Sequence, residues 1–283
     1  MSGFLERMAR ASAARAAAIG HGFAAGDLAR PRPALALSAF DVIAEIKPRS
    51  PAEGPLAADP DALARRALEY ADAGAAAISV LTEPEEFGGS LELLARVVKA
   101  LDGRVPVMRK DFLVDPRQLD EARAAGAGGV LLIVALSDEA RLAKLLERAF
   151  ELDLFVLLES FDTEDLARTA ALLTDRRWAA RAAAGDLLVG VNARDLRTLA
   201  VDPERLAALA PRLPRAAIGV AESGLHDAAD AGRAAAAGYR LALVGTALMR
   251  AESPGALLRE MLAAGRGAAA GARIARDQPE AWT

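Results

Sequence analysis

The chain contains no cysteine, which excludes disulfide bonds, thiol nucleophiles and cysteine-based metal sites. Histidine is nearly as scarce, because only His21 and His226 occur and their spacing is not that of metal ligands. A histidine-based catalytic triad is therefore not expected, and no metal site is predicted.

Long apolar runs are also missing. A membrane span needs about 20 apolar residues, whereas the longest obvious run, 130–136, has the length of a buried strand. Residues 1–19 carry Glu6 and three arginines and so lack the apolar core of a signal peptide. The net charge of −4 indicates neither a nucleic-acid nor a membrane surface. We therefore expect a cytoplasmic protein without nucleic-acid or membrane partners.

Short apolar runs do occur, and they alternate with longer stretches of helical period. The chain has 283 residues, 53% of them apolar, and a single α/β barrel takes about 250 residues. Each run is apolar nearly throughout, as is typical of strands buried on both faces. The pattern predicts eight strands, at about 42–47, 76–81, 105–109, 128–134, 154–159, 187–192, 217–222 and 241–245.

A weak internal repeat favours a parallel sheet. The segments 71–75, 124–127 and 236–239 each contain a glycine and close a helical pattern just before an apolar run. Glycine in this position adopts the left-handed conformation that ends a helix. Eight such units without a linker favour an α/β fold closed into a (β/α)8 TIM barrel over a doubly wound sheet.

The whole chain, 1–283, is interpreted as a single domain. We expect an N-terminal helical extension over residues 1–40, the barrel over 41–262 and a frayed tail over 263–283. Residues 174–185 are interpreted as a longer loop before the sixth strand.

Charged residues stand at the ends of three predicted strands. Glu45 and Lys47 are two apart on the first and therefore share a face, while Lys110 follows the third and Glu159 ends the fifth. Barrel enzymes keep their chemistry at the carboxyl ends of the strands, so these groups predict a proton-transfer site. Lys110 would act as a general acid if burial and neighbouring charge moved its pKa towards neutrality. The alternative for Glu45 and Lys47 is a structural ion pair.

The last three strands end in small and polar residues. Asn192 suits holding a substrate hydroxyl or carboxylate, whereas the following Arg194 and Asp195 favour a structural pair in the loop. The segments 221–224 and 243–247 have the composition of the phosphate-binding loops that follow strands 7 and 8 of many barrels. The alternative is that their glycines only serve tight turns.

Taken in order, these residues resemble the indole-3-glycerol phosphate synthase family over about residues 41–262. A single motif of this kind would be weak, but seven in the same order are specific. They are IAEIKPRSP at 43–51, SVLTE at 79–83, FGGS at 87–90, RKDF at 109–112, NARDL at 192–196, ESG at 222–224 and VGTALM at 244–249.

The resemblance implies a lyase that closes 1-(2-carboxyphenylamino)-1-deoxyribulose 5-phosphate to indole-3-glycerol phosphate in tryptophan biosynthesis, releasing carbon dioxide and water. It implies no cofactor and a helical extension over the active site. Lys110 matches the general acid that polarises the ribulose carbonyl, and Glu159 matches a catalytic carboxylate. Lys47, with Glu45 beside it, matches a lysine near the substrate carboxylate that is also considered an acid in the dehydration.

The remaining matched positions are implied to contact substrate. They are Asn192 and Glu222 among the catalytic group, Ser50, Ser223, Gly224, Gly245 and Thr246 at the phosphate, and Phe87 and Phe112 as apolar walls for the anthranilate ring.

The sequence departs from the family pattern in a few places. Ala52 replaces a common serine, and Ala193 stands where asparagine or serine is usual, which bears on substrate affinity.

Three alternatives to this function stay open. They are a related phosphate-binding barrel such as phosphoribosylanthranilate isomerase, a paralogue serving a specialised pathway, and a non-catalytic barrel. We expect a monomer whose partner is a phosphorylated small molecule, with other tryptophan-pathway enzymes as candidate partners.

Overall fold

A computed structural model describes residues 3–20, 22–51, 53–196, 200–202 and 204–277. Eight parallel strands close into a barrel, which confirms the predicted fold class. All eight predicted strands are present, with ends that differ by at most two residues. They are β1 Asp41–Ile46, β2 Ala77–Leu81, β3 Val107–Lys110, β4 Gly129–Ile133, β5 Phe155–Ser160, β6 Leu187–Asn192, β7 Ile218–Glu222 and β8 Leu241–Val244.

Two of the described helices precede β1, and the others follow the strands around the barrel. They are α1 Phe4–Ala17 and α2 Ala25–Leu28 before β1, and then α3 Pro60–Asp72, α4 Leu91–Leu101, α5 Pro116–Ala124, α6 Glu139–Glu151, α7 Thr163–Leu172, α8 Arg176–Ala184, α9 Arg205–Leu209, α10 Ala228–Ala237, α11 Thr246–Arg250 and α12 Pro254–Asp277. Short 3₁₀ turns cover Val134–Leu136 and Ala210–Arg212, and Arg49–Ser50 pairs antiparallel with Gly54–Pro55. In the described residues, no helix is both long enough and apolar enough to cross a membrane.

Strand alternation decides which side chains enter the barrel. In β1, Val42, Ala44 and Ile46 belong to the core between the strands and the helices. Ile43 belongs to a second cluster that fills the barrel interior, together with Met108 and other interior residues. Successive side chains of a strand point to opposite faces, so every second residue of each strand belongs to a row that faces the barrel interior. These interior rows continue to the carboxyl end of the barrel. The active-site side chains described below come from these rows.

Two expectations about irregular segments are corrected by the structure. Residues 174–185 are not a long loop, because α8 occupies most of them and Asp175 caps its first turn. The tail expected to fray from residue 263 is instead helical to Asp277, and residues 278–283 lie outside the described part. Arg266 of α12 donates to the carbonyl of Phe40 (3.1 Å) and pairs with Asp41 (2.8 Å), so the helix is held against the start of β1.

The N-terminal extension contacts both ends of the barrel. At the carboxyl end, α1 is held by a hydrogen bond from Gln118 of α5 to Ser12 (2.8 Å) and by an ion pair between Arg15 and Asp111 (2.6 Å). At the other end, Leu35 and Leu37 pack against the interior cluster. The helical part predicted over residues 1–40 therefore lies above the strand ends where the charged residues gather.

Candidate active site

A cavity of about 290 Å³ opens at the carboxyl ends of the strands. All thirteen site residues predicted from the sequence line it. They are Glu45, Lys47, Ser50, Phe87, Lys110, Phe112, Glu159, Asn192, Glu222, Ser223, Gly224, Gly245 and Thr246. Residues from distant parts of the chain are therefore brought to one place.

Three adjacent charged residues at the end of β3 have different surroundings: one is a lysine that enters the cavity, and the other two form a buried ion pair. Lys110 continues the interior row of Met108 and enters the cavity. Its neighbours Arg109 and Asp111 are buried and pair with each other (3.2 Å), and both bond to the hydroxyl of Thr82. Of the three adjacent charged residues, Lys110 thus carries the amine that extends into the cavity, while the other two fix the strand end.

Charges of both signs alternate across the cavity floor. The Nζ of Lys47 lies 2.9 Å from Oε1 of Glu45. The Nζ of Lys110 lies 3.6 Å from Oε2 of Glu159 and 4.0 Å from Oε2 of Glu45. The predicted Glu45–Lys47 pair therefore exists, but it lies inside the cavity and is linked to Lys110. Lys47 also donates to Oγ1 of Thr246 (3.1 Å), which connects it to the loop after β8.

The pKa of Lys110 is raised in the free protein, which is opposite to the shift towards neutrality named above as a condition for a general acid. Burial alone would lower this pKa, but the carboxylates of Glu159, Glu45 and Glu222 outweigh it. The pKa of Glu45 is lowered: burial would raise it, and the charges of Lys47 and Lys110 together reverse the effect. At neutral pH Lys110 therefore presents a charged ammonium group to the cavity.

Glu222 behaves in the opposite way, since its pKa is raised well above the usual value. Burial is the main cause, and repulsion from Glu159 adds to it. Among the described residues, no hydrogen-bond donor reaches the side-chain oxygens of either Glu159 or Glu222. Glu222 therefore keeps its proton to a higher pH than a free glutamate side chain does.

Two glycines make room for these carboxylates. A Cβ at Gly190 would overlap Oε1 of Glu222 and lie 3.1 Å from its Cδ. A Cβ at Gly245 would overlap Oε1 of Glu45 and lie 3.1 Å from Nζ of Lys47. Gly190 was not predicted as a functional position, although a glycine inside an apolar strand is a signal of close approach.

Small residues form one end of the cavity. Ser223 and Gly224 follow β7 with positive φ angles of 63° and 73°, and Gly245 precedes the short helix α11. A left-handed conformation is rare for a non-glycine residue, so the loop is held in an unusual shape at Ser223. Ser50 adds a hydroxyl from the hairpin after β1. These groups, which include backbone N–H donors, have the composition of an anion site.

The other end of the cavity is apolar. The ring centroids of Phe87 and Phe112 are 6.2 Å apart with the planes tilted by 43°. Phe112 also meets Phe4 of α1 edge to face at 6.0 Å. Leu131 and Ile133 of β4 complete this wall. Sequence reasoning missed both because they look like ordinary strand core.

The loop after β6 adds a cation that the sequence analysis gave a structural role. Arg194 lines the cavity, and its charge contributes to the lowered pKa of Glu45. The backbone N–H of Arg194 donates to Oδ1 of Asn192 (2.9 Å), whereas Asp195 lies 3.9 Å from Arg205. Ala193 is fully buried, so its methyl group packs beneath the loop. The other departure, Ala52, lies outside the described residues.

A family model described as indole-3-glycerol phosphate synthase matches residues 34–261. Relatives that carry the name indole-3-glycerol phosphate synthase include those of three bacteria. That of Parafrankia sp. is 47% identical over 240 residues, 83% of each chain. That of Nocardioides sp. is 45% identical over 82% of this chain and 83% of its own, and that of Koribacter versatilis is 44% identical over 78% and 79%.

Solved structures show the same fold at low identity. The 3-hexulose-6-phosphate synthase of Salmonella typhimurium is 16% identical with a TM-score of 0.60, covering 81% of this chain and 100% of that one. Monomers of the phosphoribosylanthranilate isomerase of Thermotoga maritima are 14% identical with a TM-score of 0.52, covering 81% and 99%. At these identities the likeness extends to the barrel alone.

Proposed function

The chain belongs to the indole-3-glycerol phosphate synthase family, and from that premise we propose how its cavity performs the reaction. The activity is that of a carboxy-lyase of tryptophan biosynthesis, the ring closure of 1-(2-carboxyphenylamino)-1-deoxyribulose 5-phosphate to indole-3-glycerol phosphate with loss of carbon dioxide and water. The residue roles below are our proposal.

The substrate would lie across the cavity from its apolar end to its small-residue end. The anthranilate ring packs against Phe87 and Phe112, and the phosphate accepts hydrogen bonds from the loops at Ser223 and Gly245. Lys110 lies between the two ends, where the ribulose carbonyl has to meet the ring carbon. Because both ends of the flexible substrate are held, binding already restricts its motion, and the entropic cost of the ring closure itself is lowered.

In the condensation, Lys110 polarises the ribulose carbonyl and gives it a proton as the ring carbon bearing the carboxylate attacks. The carbonyl oxygen takes the electron pair of the double bond and, with the proton from Lys110, becomes a hydroxyl group. Loss of carbon dioxide then returns the electron pair of the broken carbon–carbon bond to the ring. A charged ammonium stabilises the oxygen as negative charge develops on it. The raised pKa of Lys110 keeps it charged in the free protein.

The dehydration needs an acid for the departing hydroxyl and a base for a proton of the adjacent methylene carbon, the former C1 of the ribulose, so that the double bond of the indole ring forms. Glu159 serves as the base in our proposal, because its oxygens accept no hydrogen bond from a described residue. Lys47 with Glu45 serves as the acid, and Glu222 and Asn192 hold the substrate between the two. The hydrogen bond of Lys47 to Thr246 also brings its charge towards the phosphate end.

The observation that carries this proposal is the Lys110 ammonium inside the cavity, 3.6 Å from Glu159 and 4.0 Å from Glu45, on a side chain that is only 15% exposed. A sugar-phosphate isomerase on the same barrel would share the glycines after β7 and β8 but would not require two lysines at strand ends.

The central test is Lys110→Ala, assayed by the fluorescence of the indole product. We expect kcat to fall by about 10² to 10⁴, the contribution of a positioned general acid. The control is Lys99→Ala on the exposed face of α4, which should match the wild type. Turnover by a folded Lys110→Ala protein near the wild-type rate would refute the assignment.

The monomeric state, cytoplasmic location and contacts with other tryptophan-pathway enzymes remain predictions from the sequence. The monomer is supported by the surface of the described residues, where Val201 is the one large apolar side chain that is exposed (38%). A stable interface usually needs a larger apolar patch.

A further inference from the structure

We propose that Arg15 of α1 is a positioning residue for the aromatic end of the cavity. Its guanidinium lies between the loops after β2 and β3 and approaches a buried carboxylate in each. Each carboxylate holds the backbone of one aromatic residue of the cavity wall. Arg15 would in this way set the spacing of Phe87 and Phe112, and with it the affinity for the aryl half of the substrate.

The first carboxylate is that of Asp111, which is 2% exposed. Its Oδ1 accepts hydrogen bonds from Nη2 of Arg15 (2.6 Å) and from the backbone N–H of Phe112 (2.8 Å). Its Oδ2 accepts one from the hydroxyl of Thr82 (2.8 Å). The oxygen that Arg15 binds is therefore the one that fixes Phe112.

The second carboxylate is that of Glu83, which is fully buried. It accepts hydrogen bonds from the backbone N–H groups of Glu85 (2.9 Å), Glu86 (2.7 Å) and Phe87 (3.0 Å). Its Oε1 lies 3.8 Å from Nη1 of Arg15. The loop that carries Phe87 is thus folded around this carboxylate.

A cation between the two groups adds to the compensation of both buried carboxylates. A buried carboxylate is costly unless a positive charge or several donors compensate it. Asp111 has a second cation in Arg109, whereas Arg15 supplies the ion pair of Glu83 among the described residues. Without Arg15, the two loops would lose the cation that joins their carboxylates, and the hydrogen bond from Thr82 to Asp111 would remain.

Other contacts hold α1 in place without Arg15. Gln118 bonds to Ser12 (2.8 Å), Phe4 packs on Phe112 and Arg7 pairs with Glu86 (2.7 Å). A substitution of Arg15 alone should therefore leave the helix docked. This separates a positioning role from the loss of the whole extension.

The inference rests on the proposed position of the aryl ring and makes a selective prediction. The proposed phosphate loops at Ser223 and Gly245 follow β7 and β8, on strands that do not border β2 or β3. Ser50 is the one proposed phosphate contact that follows a strand bordering β2. Arg15→Met should weaken the binding of indole-3-glycerol phosphate about three- to tenfold, which corresponds to the energy of one aromatic contact. Ribulose 5-phosphate, which has no aryl group, should bind as it does to the wild type.

Both ligands would be titrated by calorimetry, and KM and kcat measured for the substrate. For Arg15→Met we expect KM to rise by a larger factor than kcat falls. Arg10→Met, the same change at an exposed arginine of α1, is the control and should leave both affinities unchanged.

Phe112→Leu distinguishes failure of this inference from failure of the proposed site. If Phe112→Leu weakens the aryl ligand and Arg15→Met does not, the role of Arg15 is refuted while the ring position stands. If Arg15→Met weakens both ligands equally, Arg15 is a general stabiliser and the inference is also wrong. If neither substitution changes the preference for the aryl ligand, the proposed ring position fails and the inference fails with it.

Discussion

The carboxylate of Glu45 occupies the space that a side chain at position 245 would need. Glu45 is only 4% exposed, and it pairs with one lysine at 2.9 Å while lying 4.0 Å from another. Gly245 thus has a second use beyond the phosphate loop predicted from the sequence, because it leaves room for the group that links the two lysines. A substitution at Gly245 should affect the reaction more than folding, because the atom it would crowd is the end of the Glu45 side chain and not the backbone.

Gly245→Ala should therefore reduce activity far more than stability. The new methyl group would push Glu45 away from Lys47, and a misplacement of about 1 Å in a catalytic group can cost on the order of 100-fold in rate. We expect kcat/KM to fall by about 10- to 100-fold, with a thermal midpoint close to that of the wild type.

The control for this prediction is Gly232→Ala in α10. A Cβ there would meet its nearest neighbour, the carbonyl oxygen of Ala264, at 3.9 Å, which is an ordinary contact. This variant should keep full activity. Wild-type kcat/KM in Gly245→Ala would show that the position of Glu45 does not limit the reaction.

At the scale of elements, α12 illustrates how a helix becomes part of the barrel. Gly265 lies against the ring of Phe40, and a Cβ at this position would come within 2.6 Å of the ring atom Cγ and closer to others. Arg266, the next residue, bonds to the carbonyl of Phe40. The helix therefore docks through a glycine, and this contact explains why the chain stays ordered beyond residue 263.

Gly265→Ala should destabilise the protein by about 1–3 kcal/mol, the usual cost of overpacking a filled site. Gly267→Ala in the same helix is the matched control, because a Cβ there meets no atom within 4 Å. Replacing glycine by alanine at such a site usually stabilises a helix by about 0.5–1 kcal/mol. Urea unfolding of both variants measures the difference, and equal stabilities would show that α12 does not depend on this contact.

At the scale of the whole molecule, the active site concentrates charges from β1, β3, β5 and β7 in one buried place. At Glu222 this concentration of buried charge lowers the stability of the folded protein. The pKa of Glu222 is raised above the usual value of 4.5 by burial and by Glu159. Above about pH 4.5 the unfolded chain loses this proton while the folded protein keeps it. The free energy of unfolding therefore decreases as the pH rises, until the pH passes the folded-state pKa.

Glu222→Gln should remove this contribution. We expect its free energy of unfolding to decline less than that of the wild type between about pH 5 and about pH 8, as measured by urea denaturation. Each tenfold change in the acid constant corresponds to about 1.4 kcal/mol. Glu92→Gln, at an exposed site of α4, should follow the wild type. A steeper decline in Glu222→Gln than in the wild type would contradict the raised pKa.

Much of the molecule follows from local pattern. Apolar runs and helix-ending glycines are properties of neighbouring residues, so the eight strands and the barrel could be predicted. The position of Lys110 after a strand also predicted that it reaches the cavity, since strand ends in a barrel share one face. The prediction of a loop at 174–185 was wrong because the alanines and arginines there suit a helix as well as a loop. Packing of Trp178 against the core decides between the two.

The sequence by itself determined that the charged residues at the ends of β1, β3, β5 and β7 reach one cavity, because alternation and strand order are set along the chain. Only the tertiary structure decided how those residues act on one another. The raised pKa of Lys110 depends on carboxylates from β1, β5 and β7, and burial alone would have moved it the other way. The contact of Arg15 with two loops likewise joins residues far apart in sequence. Electrostatic interactions depend on distance in space, and that distance is fixed only when the barrel closes.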